Sequence, residues 1–440
     1  MTRRQAGGVL GVLGILVAIV VPDLGAGAWP FNVPSGGVDP QGPLGFLVEA
    51  ADRDFDEALL RSAALLAGLV VALAGAAVLA MRTVRPRLVS VVAAVVVGLL
   101  VVPATLLQVG LRDSSEPWYY VNDSTYQIDL AGELILDGEN PYGHDYRGSG
   151  LERWYPAVGA DEKIPQVALH HFAYFPGTAL TAAAWRLLPS PFDDYRMLVL
   201  LCTLALFGAA LLFDAPLHWK LAAGAVLAAN PLAVRAAWFG TADAPSVLLT
   251  VLSFALLARS RYLLAAASIA GAVLLKQFAL VALPFLALAM LARAVPRAVL
   301  WRAAALFAGI VVLGILPFAI ADPGALWDDT IAYGAQTYRI IGYGLAGVLY
   351  ELGILDDRFG SYPFLPLAIV LWLPVTGWLL WTQWKSRRLW IGAAGFAASI
   401  FSLLYLGRVF QTSYLIWPLT ALLVSFLLAL REPDDASARS

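Results

Sequence analysis

Charge is scarce in this chain: only 14% of its 440 residues are Asp, Glu, Lys or Arg, against about 25% in ordinary soluble domains. Basic and acidic residues nearly cancel, 29 against 31, and are dispersed along the chain. No basic patch for nucleic acid arises from such a distribution. There is one cysteine, Cys202, set in an apolar run. That excludes a disulfide framework and any cysteine-built metal cage. The chain also lacks a Walker A loop, an H-E-x-x-H pair, a G-x-S-x-G elbow and a dinucleotide fingerprint. It has no clean internal repeat and no low-complexity tract.

What is abundant is apolar surface. Hydrophobic residues make up 60% of the chain, and mean hydropathy is +0.75. About twelve spans of about 20 residues would need about 240 residues, close to the apolar total. The composition predicts an all-α, polytopic integral membrane protein. Apolar segments lie near 8–22, 58–81, 88–108, 195–213, 217–232, 243–258, 261–275, 278–292, 301–321, 363–384, 389–407 and 414–431. The positive-inside rule orients them. Arg3 and Arg4 place the amino terminus inside; Arg82, Arg85, Arg87, Arg259, Arg261, Arg293, Arg297, Arg302, Lys385, Arg387 and Arg388 follow on the same side. Alternate loops are acidic, with Asp52, Asp54, Asp56, Glu57, Asp322, Asp328, Asp329, Asp356 and Asp357. Twelve crossings return the polar tail, 432–440, to the inside. Segment 172–188 is apolar, but a thirteenth crossing there would invert every later loop, so it reads as a short helix at the outer boundary. Arg3/Arg4, an apolar run and Gly-Ala-Gly-Ala at 25–28 also fit a signal peptide, and cleavage stays open.

Two outer loops, near 109–172 and 322–362, are long for a compact protein and therefore candidates for function. The first carries Trp118-Tyr119-Tyr120 and then Asp123, Tyr126, Asp129, Glu133, Gly138 and Asn140-Pro141-Tyr142. Asp123 fits a helix start and Gly138 a helix stop. Ile128, Ala131, Leu134 and Ile135 recur at helical spacing, which predicts an amphipathic helix along the membrane surface. Asp123 is then either a cap or a general base held at the membrane boundary. Asp129 reads first as part of a solvated face and second as another carboxylate of the site. His170 and His171 are adjacent, so they point apart on any regular element. One of them is a candidate contact for a phosphate. Arg235 and Asp243 flank an Asn230-Pro231 to Gly240 stretch and are either a structural pair or functional. Lys276, at the tip of an apolar hairpin, and Arg408, between the last two spans, sit on the side that the charge rule disfavours. Both suit an anionic lipid phosphate; snorkelling is the plain alternative for Lys276. Arg339 with Tyr333, Tyr338 and Tyr343 adds a cationic, aromatic surface to the second loop.

Carboxylates and a few cations thus gather on one membrane face. The set resembles the GT-C superfamily of membrane glycosyltransferases, and among them the bacterial polyprenyl-phosphate-mannose-dependent α-mannosyltransferases. The residues that carry the resemblance are Asp123, Tyr126, Ala131, Gly138-Glu-Asn140-Pro141-Tyr142, Tyr174-Phe175-Pro176, Asn230-Pro231 with Gly240 and Asp243, Lys276, and Tyr414 with Trp417. It covers roughly residues 115 to 430. The family's loop usually follows the first span and here follows the third, so residues 1–87 read as an added transmembrane hairpin before a catalytic region, 88–431. The family's Pro-Pro pair is Pro176-Gly177 here.

The resemblance implies inverting transfer of a sugar, mannose in the family, from a polyprenyl phosphate to a hydroxyl acceptor on a glycolipid or polysaccharide. Asp123 would be the base. Lys276 and Arg408, then Arg235 and His171, would face the phosphate, with Tyr126, Asp129, Asp243 and Tyr414 around the substrate. It implies a bacterial plasma membrane with the site facing outward. No cofactor is expected, and the sequence leaves a divalent metal undecided. Two other readings stay open: a polysaccharide polymerase or ligase that uses lipid-pyrophosphate donors, and a lipid or sugar transporter. Against the transporter, the spans are nearly free of charge in their middles.

Overall fold

All twelve apolar segments become helix in the structure, a computed structural model that describes residues 2–20, 57–110, 123–155, 169–190, 192–239 and 241–430. Residues 25–28, 52–56, 118–120, Gly240 and 432–440 lie outside the described residues. The helices are α1 (Arg3–Val20), α2 (Glu57–Ala80), α3 (Pro86–Gly110), α4 (Asp123–Leu136), α5 (Pro176–Trp185), α6 (Tyr195–Ala210), α7 (Leu217–Ala229), α8 (Pro231–Phe239), α9 (Asp243–Ala258) and α10 (Tyr262–Leu275). A 3-10 turn, Gln277–Ala282, then leads to α11 (Leu283–Ala292) and α12 (Arg297–Ala321). The second long loop contains α13 (Pro323–Trp327), a π-wound segment Asp328–Thr337, strand β1 (Ile341–Gly342) and α14 (Leu345–Glu351). The chain ends with α15 (Phe364–Leu367), α16 (Leu373–Ser386), α17 (Leu389–Leu406), β2 (Val409–Phe410) and α18 (Ile416–Ala429).

Among the described residues, six stretches are long and apolar enough to cross a membrane: Arg3–Val20, Pro86–Pro103, Arg297–Ala321, Phe364–Ser386, Leu389–Leu406 and Thr412–Ala429. The chain is a multi-pass membrane protein. α2 is 24 residues long with an apolar part at Leu65–Ala80, and further apolar helices are shorter, down to 10 to 17 residues. At 1.5 Å per residue, a 14-residue helix such as α10 reaches about 21 Å of a hydrocarbon core about 30 Å thick. Sequence windows predict twelve crossings of 15 to 24 residues; in the structure polar or β-conformation residues bound several of the short ones. Asn230 breaks α7 from α8: its side-chain oxygen accepts from Leu232 N at 3.0 Å and Ala233 N at 3.1 Å. Its amide donates back to the Val226 and Leu227 carbonyls. Lys276 ends α10 in an extended conformation, φ −154° and ψ 126°. Thr178 Oγ1 donates to the buried Leu275 carbonyl at 2.5 Å, and Ser246 Oγ to that of Ala272 at 2.7 Å. These breaks place Asn230, Asp243 and Lys276 at helix ends rather than inside spans.

Four apolar cores form among the described residues, and three of them hold the bundle and the site. One joins α9, α10, α11, α17 and α18 through Phe254, Phe285, Phe396 and Trp417. A second joins α1, α2 and α3 to α6 and α7 through Leu10, Val71, Val96, Leu200 and Trp219. The amino-terminal hairpin therefore shares a core with later helices. The third holds up the site: Tyr126, Ile128 and Ala131 of α4 pack with Tyr142, Phe172, Ala182 and Tyr195. α5 spans about 15 Å and packs against α4 and α10. Gly132 on α4 lets the two helices touch, since a Cβ there would fall 2.9 Å from the Ala182 backbone. α4 ends where the sequence predicts, with Gly138 at φ +80°, a conformation that costs glycine little.

Candidate active site

Asp123 opens α4. Its Oδ1 accepts from Ser124 N at 2.8 Å and its Oδ2 from the Tyr155 hydroxyl at 2.5 Å. Both bonds favour the charged carboxylate, yet burial outweighs them and raises its pKa above the usual carboxylate value. Tyr155 follows a 3-10 turn, Leu151–Trp154. Tyr126, one turn into α4, fixes that turn: its hydroxyl donates to the Ser149 carbonyl at 2.7 Å, and its ring lies 5.1 Å from that of Trp154. Tyr126 thus supports the partner of Asp123 from beneath.

Four phenols converge on this carboxylate. Tyr338 hydrogen-bonds to Tyr155, and Tyr174 to Ser124. Tyr155, Tyr174, Tyr333 and Tyr338 are all pushed well up by burial, with the Asp123 charge adding to the effect. They are neutral hydroxyls at any physiological pH, able to donate to oxygen.

Tyr174 also joins Asp123 to a second polar group. Lys276 Nζ lies 5.5 Å from the Tyr174 ring centroid, 5.2 Å from Phe278 and 5.7 Å from Tyr414. Inside this aromatic collar the ammonium meets Asp243 Oδ1 at 2.8 Å, and Trp417 Nε1 donates to the same oxygen at 2.9 Å. The sequence offered Arg235 as partner for Asp243; the structure supplies Lys276. Arg235 lies part-buried on α8. A narrow crevice beside Asp243 is lined by Thr203, Leu206, Leu232, Thr241 and Ile416 among others.

His171 comes from the segment before α5. Its Nδ1 lies 2.7 Å from Asp329 Oδ1, and its ring stacks on Tyr333 with centroids 4.6 Å apart. His170 faces the other way, 3.5 Å from Asp145. The two adjacent histidines point apart, as their spacing predicts. Gln127, the residue after Tyr126, donates to the His171 carbonyl at 2.8 Å. That bond ties His171 to the helix that Asp123 begins.

Two expectations change. Asp129 does not lie on a solvated face: it is 4% exposed and is paired with Arg186, which also reaches Glu133 at 3.6 Å. Helical period alone puts residue 129 on the outer side, but α5 covers that side and brings Arg186 with it. Arg408 is buried, and it donates to the carbonyls of Tyr338 at 2.8 Å, Gly360 at 2.9 Å and Arg358 at 3.1 Å. With the β1–β2 pairing of Ile341 with Val409, it fastens the second loop to the end of α17. It positions Tyr338 through that residue's own carbonyl.

Sequence reading missed Tyr155 as a site residue and treated Asp329 as one more acid of an outer loop. Asp329 is 2% exposed, and nothing in its local pattern distinguishes it from Asp328. The aromatic richness of 333–343 was the available signal for the second loop.

No protein-family model matches the chain, and no curated protein sequence matches it. Among solved structures, the crystal structure of ArnT from Cupriavidus metallidurans bound to undecaprenyl phosphate is similar, with a TM-score of 0.47 and 19% identity over 80% of this chain. The match covers 61% of the ArnT chain. At that level of likeness the reading of the site rests on its own geometry.

Proposed function

We propose that this protein is a GT-C-type glycosyltransferase that moves a sugar from a polyprenyl phosphate to a hydroxyl acceptor at the outer membrane face. The observation that carries the reading is the pairing of two unlike polar groups across Tyr174. One is a buried carboxylate of raised basicity, Asp123; the other is the Lys276–Asp243 pair in its aromatic collar. A carboxylate whose pKa is lifted toward neutrality is a better general base than an ordinary one. A lysine beside it gives an anionic leaving group a place to go.

In the proposed reaction Asp123 takes the proton of the acceptor hydroxyl. The acceptor oxygen attacks C1 of the sugar, and the C1–O bond to the phosphate breaks with inversion. The electron pair of that bond leaves on the phosphate oxygen, where Lys276 and His171 receive the charge. The neutral phenols of Tyr155, Tyr174 and Tyr338 offer hydroxyl donors to sugar or acceptor oxygens. The polyprenyl tail needs an apolar surface between helices, which the short α6, α8 and α9 provide beside Asp243. Mannose is the sugar implied by the family resemblance, and a glycolipid or polysaccharide is the acceptor class. In this reading residues 1–87 are a hairpin added to the catalytic region, and the site faces the periplasm of a bacterial plasma membrane.

The test is transfer of radiolabelled mannose from its polyprenyl phosphate to a membrane acceptor extract by protein in proteoliposomes. Asp123→Asn should lower turnover by about 10²- to 10⁴-fold, the usual worth of a general base. Undiminished transfer by the variant would overturn the assignment of the base. Absence of transfer from every lipid-monophosphate sugar, with transfer from a lipid pyrophosphate, would replace the reading by that of a polymerase or ligase.

A further inference from the structure

Asp329 is one of the buried carboxylates that the proposed reaction does not use. It comes from the π-wound segment of the second outer loop, yet every partner resolved for it belongs to the first. Its Oδ1 meets His171 Nδ1 at 2.7 Å. Its Oδ2 accepts from Phe172 N at 3.1 Å and from Gly143 N at 2.9 Å. Two backbone amides fix the carboxylate, and the carboxylate fixes the imidazole. The Gln127 bond to the His171 carbonyl and the stacked Tyr333 ring hold the same residue from two more sides. His171 is thus held by three contacts from two elements, α4 and the π-wound segment.

We infer that Asp329 is a positioning residue that sets which nitrogen of His171 meets the phosphate of the lipid. With the carboxylate accepting from Nδ1–H, Nε2 is the nitrogen left to face substrate. When the ring is protonated, Nε2–H becomes a charged donor to a phosphate oxygen, and Asp329 remains its counter-ion. The titratable groups around the ring are Asp329 and Tyr333 of the π-wound segment. Tyr142 and Tyr146 also lie in the field of Asp329, and Asp123 lies beyond Tyr333. The inference deepens the proposed function and rests on it for the identity of the phosphate. The second loop, far away in sequence, thereby takes part in holding the leaving group.

The experiment uses the full chain in nanodiscs, with undecaprenyl phosphate as the probe. Binding is measured for wild type, Asp329→Asn, His171→Gln and the double variant, and melting temperature reports folding. Nitrogen NMR of protein labelled at its four histidines reports the tautomer, with His171→Gln giving the assignment. In lipid-free wild type the Nδ1-protonated form of His171 should dominate, and lipid phosphate should drive a second proton onto Nε2. Asp329→Asn keeps an oxygen for the two amides but offers an N–H to the ring, so the lipid-free tautomer should reverse, and the doubly protonated ring loses its counter-ion. Lipid phosphate should then no longer produce the doubly protonated ring, and affinity for the lipid should fall about tenfold, or about 1.4 kcal/mol. The double variant should be no weaker than the weaker single, because the two residues act as one unit.

Additive losses, or an unchanged tautomer with only a lowered melting temperature, would overturn the inference. If wild type transfers sugar while both single variants keep full affinity, the inference fails alone. If binding depends on His171 as described but no sugar is transferred, the transferase reading fails and the positioning role stands.

Discussion

Asp123 and Asp145 belong to the same outer loop and have opposite surroundings. Asp123 is buried beneath four tyrosines with no cation resolved against it, and its pKa is raised. Asp145 lies on the surface with Arg147 Nε at 2.9 Å, and its pKa is lowered to about 2. One carboxylate is made basic by losing water; the other is made acidic by gaining a guanidinium. A third, Asp243, is 4% exposed, more deeply enclosed than Asp123, and meets Lys276. The contrast separates the two causes. Loss of water and gain of a guanidinium move two carboxylates of one loop in opposite directions.

The largest way to break the contrast is to remove the base itself. Asp123→Asn should cost about 10²- to 10⁴-fold in turnover while raising stability at neutral pH. Its folded pKa lies above the unfolded value of 3.8, so the ionised form costs stability. That cost is absent below about pH 4, grows as pH rises toward the folded pKa, and is constant above it. The melting temperatures of wild type and variant in detergent should therefore diverge with rising pH; parallel curves would refute the burial argument.

Lys276→Met next removes the cation that makes Asp243 different. Breaking a buried pair at one partner costs about 3–5 kcal/mol, because the other charge is left behind. Adding Asp243→Asn should recover much of that loss in a denaturation series; no recovery would mean that the pair was not the cause.

Tyr155→Phe is smaller. It deletes a donor to the charged form of Asp123, so the acid limb of the pH–rate profile should move to higher pH, with about a tenfold loss at acidic pH where the base titrates. An unmoved limb would mean that another group titrates. The smallest change is Asp145→Asn, which should leave turnover within about twofold.

Much of this was legible beforehand, for a local reason. Helix formation depends on runs and periods within a window, so the apolar segments and the limits of α4 could be read directly. Asp123, Asp243, Lys276 and His171 were also visible, since polar residues beside apolar runs stand out. Their partnerships were not, because those join distant parts of the chain. Arg186 is 57 residues from Asp129, and Asp329 is 158 from His171. Arg408 misled for a related reason. A cation on the disfavoured side invites an anion, but three backbone carbonyls serve as well and leave no mark in the sequence.

The π winding of Asp328–Thr337 bears on how this protein tolerates insertions and deletions. Tyr338 N donates to the Tyr333 carbonyl at 2.9 Å, five residues back, and the two rings lie 4.9 Å apart. In an α-helix, five residues turn the chain about 140° past a full circle, which would send those rings to different sides. The wide turn is a frame that holds one residue more than ordinary winding allows. A variant one residue shorter here could keep every side chain named above and still lose the site, because regular winding would part Tyr333 from Tyr338 and turn Asp329 away from His171. In this segment, spacing is itself a conserved quantity in the mechanical sense, and alignment gaps would be more informative than substitutions.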